Sequence, residues 1–209
     1  NNSLTIIGAG AWGSALAIAL SHKFDKIFLL AKDKASSDAL GKQHSALSKP
    51  YNQNIFIGYS YEVINHSKAV LIATPSSAFG SVLKNIKDNL NDIPIAWVTK
   101  GFDPETANLL HETFNHYLTG HHPCVISGPT FAAEIVEEKP AAIVVASKDK
   151  KTRDYWSDII QTETLRAYTN SDIVGVQVGG SVKNILAIAA GIASGLGFGA
   201  NTQAALITR

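Results

Sequence analysis

Cysteine is almost absent from this chain of 209 residues: Cys124 stands alone. That excludes an internal disulfide and suits a reducing compartment. Net charge is also missing, because 18 Lys and Arg are set against 17 Asp and Glu, leaving +1. With the basic residues dispersed, neither nucleic acid nor a membrane surface is an expected partner. Long apolar runs are lacking too. The most apolar late stretch, Ile185 to Gly199, is broken by Gly191, Ser194, Gly195 and Gly197, and reads as too short and too glycine-rich to cross a bilayer. His44, His111, His116, His121 and His122 have no spacing that combines with acids or Cys124 into a ligand set, so no metal is expected. No Gly-x-Ser-x-Gly elbow is present. The first strand begins at residue 4, which leaves no room for a signal or transit peptide and points to the cytoplasm.

What remains is an ordinary globular composition, 45% hydrophobic and 17% charged, with ample material for a core. The chain is organised around Ile6-Ile7-Gly8-Ala9-Gly10-Ala11-Trp12-Gly13. An apolar strand, Leu4 to Ile7, feeds a Gly-x-Gly-x-x-Gly turn that opens directly into a helical pattern, and this context gives the glycines meaning. Gly8 permits the tight turn, Gly10 lets the backbone approach a pyrophosphate, and Gly13 allows close packing of helix on strand. Free backbone N–H groups and the positive end of the helix dipole then face the phosphates.

Strands are expected at Lys26 to Ala31, Ala69 to Ala73, Ile93 to Val98, Cys124 to Ile126, Ala141 to Ala146 and Thr164 to Tyr168. Helices are expected at Ala35 to Leu47, from Phe79 to Leu90, and at Pro104 to Leu118, Phe131 to Glu137 and Asp149 to Ile160. Ser48 to Gly58 reads as irregular. The alternation implies an α/β fold, a doubly wound and mostly parallel sheet with helices on both faces. After Asp172, a possible helix cap, the pattern changes to one long apolar helix from Ile173 to about Ser194. It reads as the start of an all-helical second domain. The expected division is 1–172 for a dinucleotide-binding domain and 173–209 for the beginning of the second, too small to be a complete domain.

Three strand ends carry chemistry: Thr74-Pro75-Ser76, Thr99-Lys100-Gly101 and Ser127-Gly128-Pro129-Thr130. Ligands on open parallel sheets sit beyond such carboxyl ends. Lys100 there could hold a phosphate or polarise a carbonyl oxygen, or be a solvated strand-end cation. At the end of the second strand, Lys32 favours NADP(H), whereas Asp33 keeps NAD(H) open. In the long helix, Gly179, Gly180, Ala187, Ala190 and Ser194 share the face of Lys183. Lys183 therefore projects from a face stripped of bulk, where a ligand would fit; alternatively its stem covers apolar surface and its ammonium reaches water.

Assembled, these residues resemble the bacterial NAD(P)-dependent glycerol-3-phosphate dehydrogenases from Leu4 to Arg209. Five motifs carry the resemblance: Gly8-Ala-Gly-Ala-Trp-Gly13, Trp97-Val-Thr-Lys-Gly101, Ser127-Gly-Pro-Thr-Phe-Ala132, Gly179-Gly-Ser-Val-Lys-Asn184 and Gly195-Leu-Gly-Phe-Gly-Ala-Asn201. The resemblance implies a Rossmann-type domain and reversible reduction of dihydroxyacetone phosphate to sn-glycerol 3-phosphate, the entry to glycerophospholipid synthesis. It implies Lys183 as acid/base, Lys100 as a contact to substrate and cofactor, and Asn184 as an assisting group. Gly128 and Thr130 match substrate contacts. Gly8, Gly10, Ala11, Trp12, Gly13, Lys32 and Ala132 match cofactor contacts, although serine is common in the family where Ala11 stands. It further implies a homodimer formed through helices past Arg209, and an Arg-Asn pair there for the substrate phosphate. A related two-domain reductase of hydroxy or keto acids, or a non-catalytic dinucleotide-binding module, remain alternatives.

Overall fold

In the computed structural model, which describes residues 2–90 and 92–208, eight strands form one sheet. In chain order the elements are β1 (Ser3–Ile7), α1 (Ala11–Leu20), β2 (Lys26–Leu30), α2 (Lys34–Leu40), β3 (Ile55–Gly58), β4 (Ala69–Ile72), α3 (Ser76–Ile86) and β5 (Ile95–Trp97). They continue with α4 (Leu110–Tyr117), β6 (Val125–Ser127), α5 (Ala132–Val136), β7 (Ala141–Ala146), α6 (Lys150–Ile160), β8 (Leu165–Asn170), α7 (Ile173–Gly195) and α8 (Ala200–Thr208). The sheet order is β3-β2-β1-β4-β5-β6-β7-β8. All pairings are parallel except β6 with β7. Chain order reverses between β1 and β4, and it is at such a reversal that a ligand crevice opens.

Both faces of the sheet are covered, which is why the central strands are apolar without alternation. On one face Leu4, Ile6, Leu16, Leu20 and Trp156 form a core under α1, α5 and α6. On the other, Ile7, Val70, Ile72, Trp97 and Ile173 pack under α3, α4 and α7. There Trp97 meets Phe79 edge-on, centroids 5.5 Å apart, and Phe114 at 5.4 Å. Such aromatic pairs add to the burial of area itself.

Four expectations need correction. Residues 55–58 are a strand rather than irregular chain, pairing Ile27 with Ile55 and Leu30 with Gly58 at the sheet edge. Four residues with one covered face gave too little pattern to read. The helix expected at Ala35 to Leu47 stops at Leu40, because Gly41 turns the chain with φ +58°. The helix expected from Pro104 begins only at Leu110; Asp103 instead organises a tight turn, its carboxylate accepting from Glu105 N, Thr106 N and the Thr113 hydroxyl. Finally, α7 is 23 residues long with a mean hydropathy of 1.5 over its most apolar window, so length and composition alone would let it cross a membrane. The Ile185 to Gly199 reading missed this because it began twelve residues late.

Candidate active site

The glycine turn is built by close approach. Gly8 has φ +113°, and a Cβ there would lie 2.7 Å from the Ala73 backbone. A Cβ on Gly13 would lie 1.9 Å from the Gly8 carbonyl oxygen, so helix and turn can touch only if both are glycine. A Cβ on Gly10 would meet nothing within 4 Å. This glycine forms the open lip of the turn. Gly10 is also the N-cap of α1, so no side chain satisfies the first amides of the helix, and no acid sits in its first turn. Those amides and the helix dipole remain directed at the crevice, the arrangement that binds a pyrophosphate.

A cleft of about 890 Å³ opens over this turn, lined among others by Gly8, Gly10, Trp12, Lys32, Lys100 and Thr130. Its size is that of small-molecule and cofactor sites, about 300–1,000 Å³. The glycine cradle, the uncapped helix and the cleft together fit a dinucleotide. Lys32 lies at one end, 82% exposed at the side chain. Asp33 is otherwise engaged: its carboxylate caps α2 by accepting from Ser36 N at 2.7 Å. That bond holds the Asp33 carboxyl below its usual range, with Lys32 contributing in the same direction.

At the other end, Lys100 follows β5. Its Nζ donates to the Gly128 carbonyl at 3.1 Å. Burial, and next to it the charge of Lys183, push its pKa below the ordinary lysine value. Lys100 and Lys183, 83 positions apart, thus share one electrostatic environment at the end of the sheet. Lys183 Nζ sits 6.0 Å from the Phe131 ring centroid, within cation–π range. Gly128 has no room for a side chain, since a Cβ would lie 2.7 Å from the Ala142 carbonyl. Thr99, which precedes Lys100, is buried, and its hydroxyl donates to the Thr74 carbonyl at 2.7 Å.

The expected residues divide by position. Gly8, Gly10, Trp12, Lys32, Lys100 and Thr130 line the cleft. Ala11 opens α1, Gly13 seals it to the turn, and Ala132 opens α5, packed beside Ala15 and Val136 against α1. Lys183, half-buried on α7, does not line the cleft, and its charge acts on Lys100, which does. Asn184 is exposed on α7 and does not line the cleft. No cluster of three metal-ligating side chains occurs among the described residues.

Gln177 escaped the sequence reading, and Ser181 entered it only as part of a motif, with no role. With Ile173 they form the i, i+4 stripe by which α7 docks on the sheet domain. Gln177 Oε1 accepts from His111 N at 3.1 Å, and its Nε2 donates to the Ile173 carbonyl at 2.9 Å. Ser181 Oγ accepts from Gly101 N at 3.1 Å. The available signal was a lone amide in an otherwise apolar helix, followed four residues later by a hydroxyl.

The family model described as NAD-dependent glycerol-3-phosphate dehydrogenase N-terminus matches residues 3–153, and the one described as its C-terminus matches residues 172–209. The chain is 55% identical over its whole length to "Glycerol-3-phosphate dehydrogenase [NAD(P)+]" of Vesicomyosocius okutanii, covering 64% of that protein. It is 54% identical to the protein of the same name from Ruthia magnifica, again covering 64%. It therefore spans just under two thirds of these relatives. Among solved structures, glycerol-3-phosphate dehydrogenase from Coxiella burnetii superposes with a TM-score of 0.88 at 34% identity, covering 100% of this chain and 66% of that one.

Proposed function

The chain belongs to the NAD-dependent glycerol-3-phosphate dehydrogenase family, and from that membership we propose that it carries the cofactor site and both reactive lysines of an NAD(P)-dependent sn-glycerol-3-phosphate dehydrogenase. The observation that carries this reading is a cleft floored by the Gly8–Gly13 turn and lined by Lys100, whose turn is bonded through Gly101 to Ser181 on α7, two residues before Lys183. The nicotinamide cofactor, when bound, supplies or takes up the hydride. Gly8, Gly10 and the first amides of α1 hold its pyrophosphate, with Ala11, Trp12 and Ala132 alongside and Lys32 at the adenosine end.

In the direction of reduction, negative charge develops on the C2 oxygen of dihydroxyacetone phosphate. The Lys183 ammonium, close to that oxygen, stabilises the charge and donates a proton from Nζ; in oxidation the neutral amine takes it back. Such a positioned acid contributes about 10²–10⁴-fold. Lys100 holds the substrate by charge and reaches the cofactor as well. Gly128 and Thr130 form the wall against which the substrate lies, and Asn184 assists from the helix.

The domain division falls near Asp172, whose carboxylate caps α7 by accepting from Gly175 N at 2.8 Å. We assign 1–172 to cofactor and 173–209 to the start of a helical substrate domain. At the relatives' greater length, further helices close the pocket and supply phosphate ligands and a dimer contact. We place the protein in the cytoplasm, where Cys124 persists as a free, buried thiol. The product feeds glycerophospholipid synthesis.

The test is reduction of dihydroxyacetone phosphate by NADPH, in the protein at its relatives' length, with and without Lys183→Ala. Turnover should fall by about 10²-fold or more while NADPH binding persists. Undiminished turnover would remove Lys183 from the mechanism. Activity on a phosphate-free 2-keto acid instead would move the chain to another reductase class. The 209-residue chain by itself should bind cofactor and turn over weakly or not at all.

A further inference from the structure

The side of α7 that docks on the sheet carries a connection that the site residues alone do not explain. Gly101 N–H donates to Ser181 Oγ at 3.1 Å, and the same hydroxyl donates its own proton to the Gln177 carbonyl at 2.8 Å. A serine hydroxyl has one proton. With that proton committed to the helix backbone, its oxygen can only accept from the loop, so the polarity of the contact is fixed. The N–H it grips belongs to the peptide plane directly after Lys100, and because that plane is rigid, holding it places the Lys100 Cα. Ser181 lies two residues before Lys183, about 3 Å along the helix axis.

The surroundings are built to the same spacing. Gly101 has φ +109°, and a Cβ there would meet Ser76 Oγ at 3.2 Å, so the turn is backed by α3. A Cβ on Gly180 would lie 2.6 Å from Ser127 Oγ, so α7 rests almost directly on the end of β6. Lys100 is then held at its peptide by Ser181 and at its amine by the Gly128 carbonyl. Two ammonium groups placed close together repel. Alanine is the better helix former at position 181, so the hydroxyl is not required by the helix.

We propose that Ser181 is a positioning residue that fixes the spacing of Lys100 from Lys183 by latching the Lys100–Gly101 turn to α7. The proposal rests on the lysine chemistry proposed above, but its decisive readout does not need turnover. In this chain, the side-chain titration of Lys100 can be followed by NMR of labelled lysines in the parent, Ser181→Ala, Lys183→Ala and the double variant. Lys183 is the charged group that bears on Lys100. Ser181→Ala should move the Lys100 titration up toward the ordinary lysine range, and Lys183→Ala should do the same. Once Lys183 is gone, Ser181→Ala should add little. An unmoved Lys100 in Ser181→Ala, or an equal movement with and without Lys183, overturns the proposal. Ser181→Thr, which keeps the oxygen, should restore the parental titration, and near-ultraviolet dichroism checks that each variant is folded.

In the protein at its relatives' length, Ser181→Ala should lower kcat for dihydroxyacetone phosphate reduction by roughly ten- to a hundredfold without loss of NADPH affinity. A kcat equal to the parent's overturns the proposal as well. A parent that reduces no dihydroxyacetone phosphate, yet shows the expected titration pattern, would refute the functional reading and leave the positioning role supported.

Discussion

Lys32 and Asp33, adjacent in the chain, divide between the cleft and a helix cap. Both stand at the end of β2, where a cation suits a 2′-phosphate and an acid suits ribose hydroxyls. Because Asp33 is the α2 cap, its carboxylate is turned to Ser36 N, while Lys32 lines the cleft. The expected consequence is a preference for NADPH. Lys32→Ala should weaken NADPH by roughly tenfold or more and NADH much less, since only the former offers a charge-assisted contact. Equal losses in fluorescence titrations of both cofactors would show that Lys32 does not read the 2′-phosphate. Asp33→Ala should loosen α2 without altering the ratio of the two affinities. At the turn itself, Gly8→Ala combines a positive φ with a 2.7 Å approach to the backbone of Ala73. It should cost roughly 2 kcal/mol or more of stability, read as a lower urea midpoint, and abolish cofactor binding.

Among the elements, α7 depends on a clamp that titrates. Gln177 Oε1 accepts from the His111 backbone N–H, so its Nε2 must be the donor to His111 Nδ1, 3.0 Å away. His111 is therefore held neutral with its proton on Nε2. Burial pushes its pKa below 6.5, Lys148 adds to this, and Glu112 opposes it. A group whose folded pKa is lowered stabilises the fold above its unfolded value, and that stability is lost as pH falls through the folded one. Acidification below about pH 6.5 should thus loosen the docking of α7 on α4, seen as faster amide exchange at residues 173–181 in the parent but not in His111→Phe. Identical pH profiles would exclude the clamp. The other elements were legible to unequal degrees. The strand cores, α3 with Phe79, Val82, Leu83 and Ile86 buried, and α6 with its Asp149 cap followed period and capping signals in the sequence. The edge strand β3 and the Asp103 turn did not, because short segments take their conformation from partners far along the chain.

Over the whole molecule, apolar surface is unevenly distributed. Ile185, Ile188 and Ile192 on α7, and Leu196 just after it, are 58–70% exposed, beyond the stripe that docks on the sheet. An apolar patch of this kind marks a surface that another part or partner covers. In the 209-residue chain, residues 185–208 should exchange amide protons far faster than 173–181 and should bind a hydrophobic dye, and Ile188→Ser should reduce that binding. Uniform protection along α7 would contradict the division.

The glycine turn between strand and helix, the doubly wound alternation and the family were legible in the linear chain, and Lys100 and Lys183 stood out there as candidates. These depend on neighbours in the chain, on period and on residue type, all of which a linear reading contains. Tertiary packing alone revealed that Asp33 caps α2, that 55–58 completes the sheet, and that α7 docks through Ile173, Gln177 and Ser181. It also brought the Lys100–Gly101 turn against Ser181, two residues before Lys183. Each of these is a contact between segments separated in sequence or a choice between hydrogen-bond partners, and such choices are made by the packing of the whole chain.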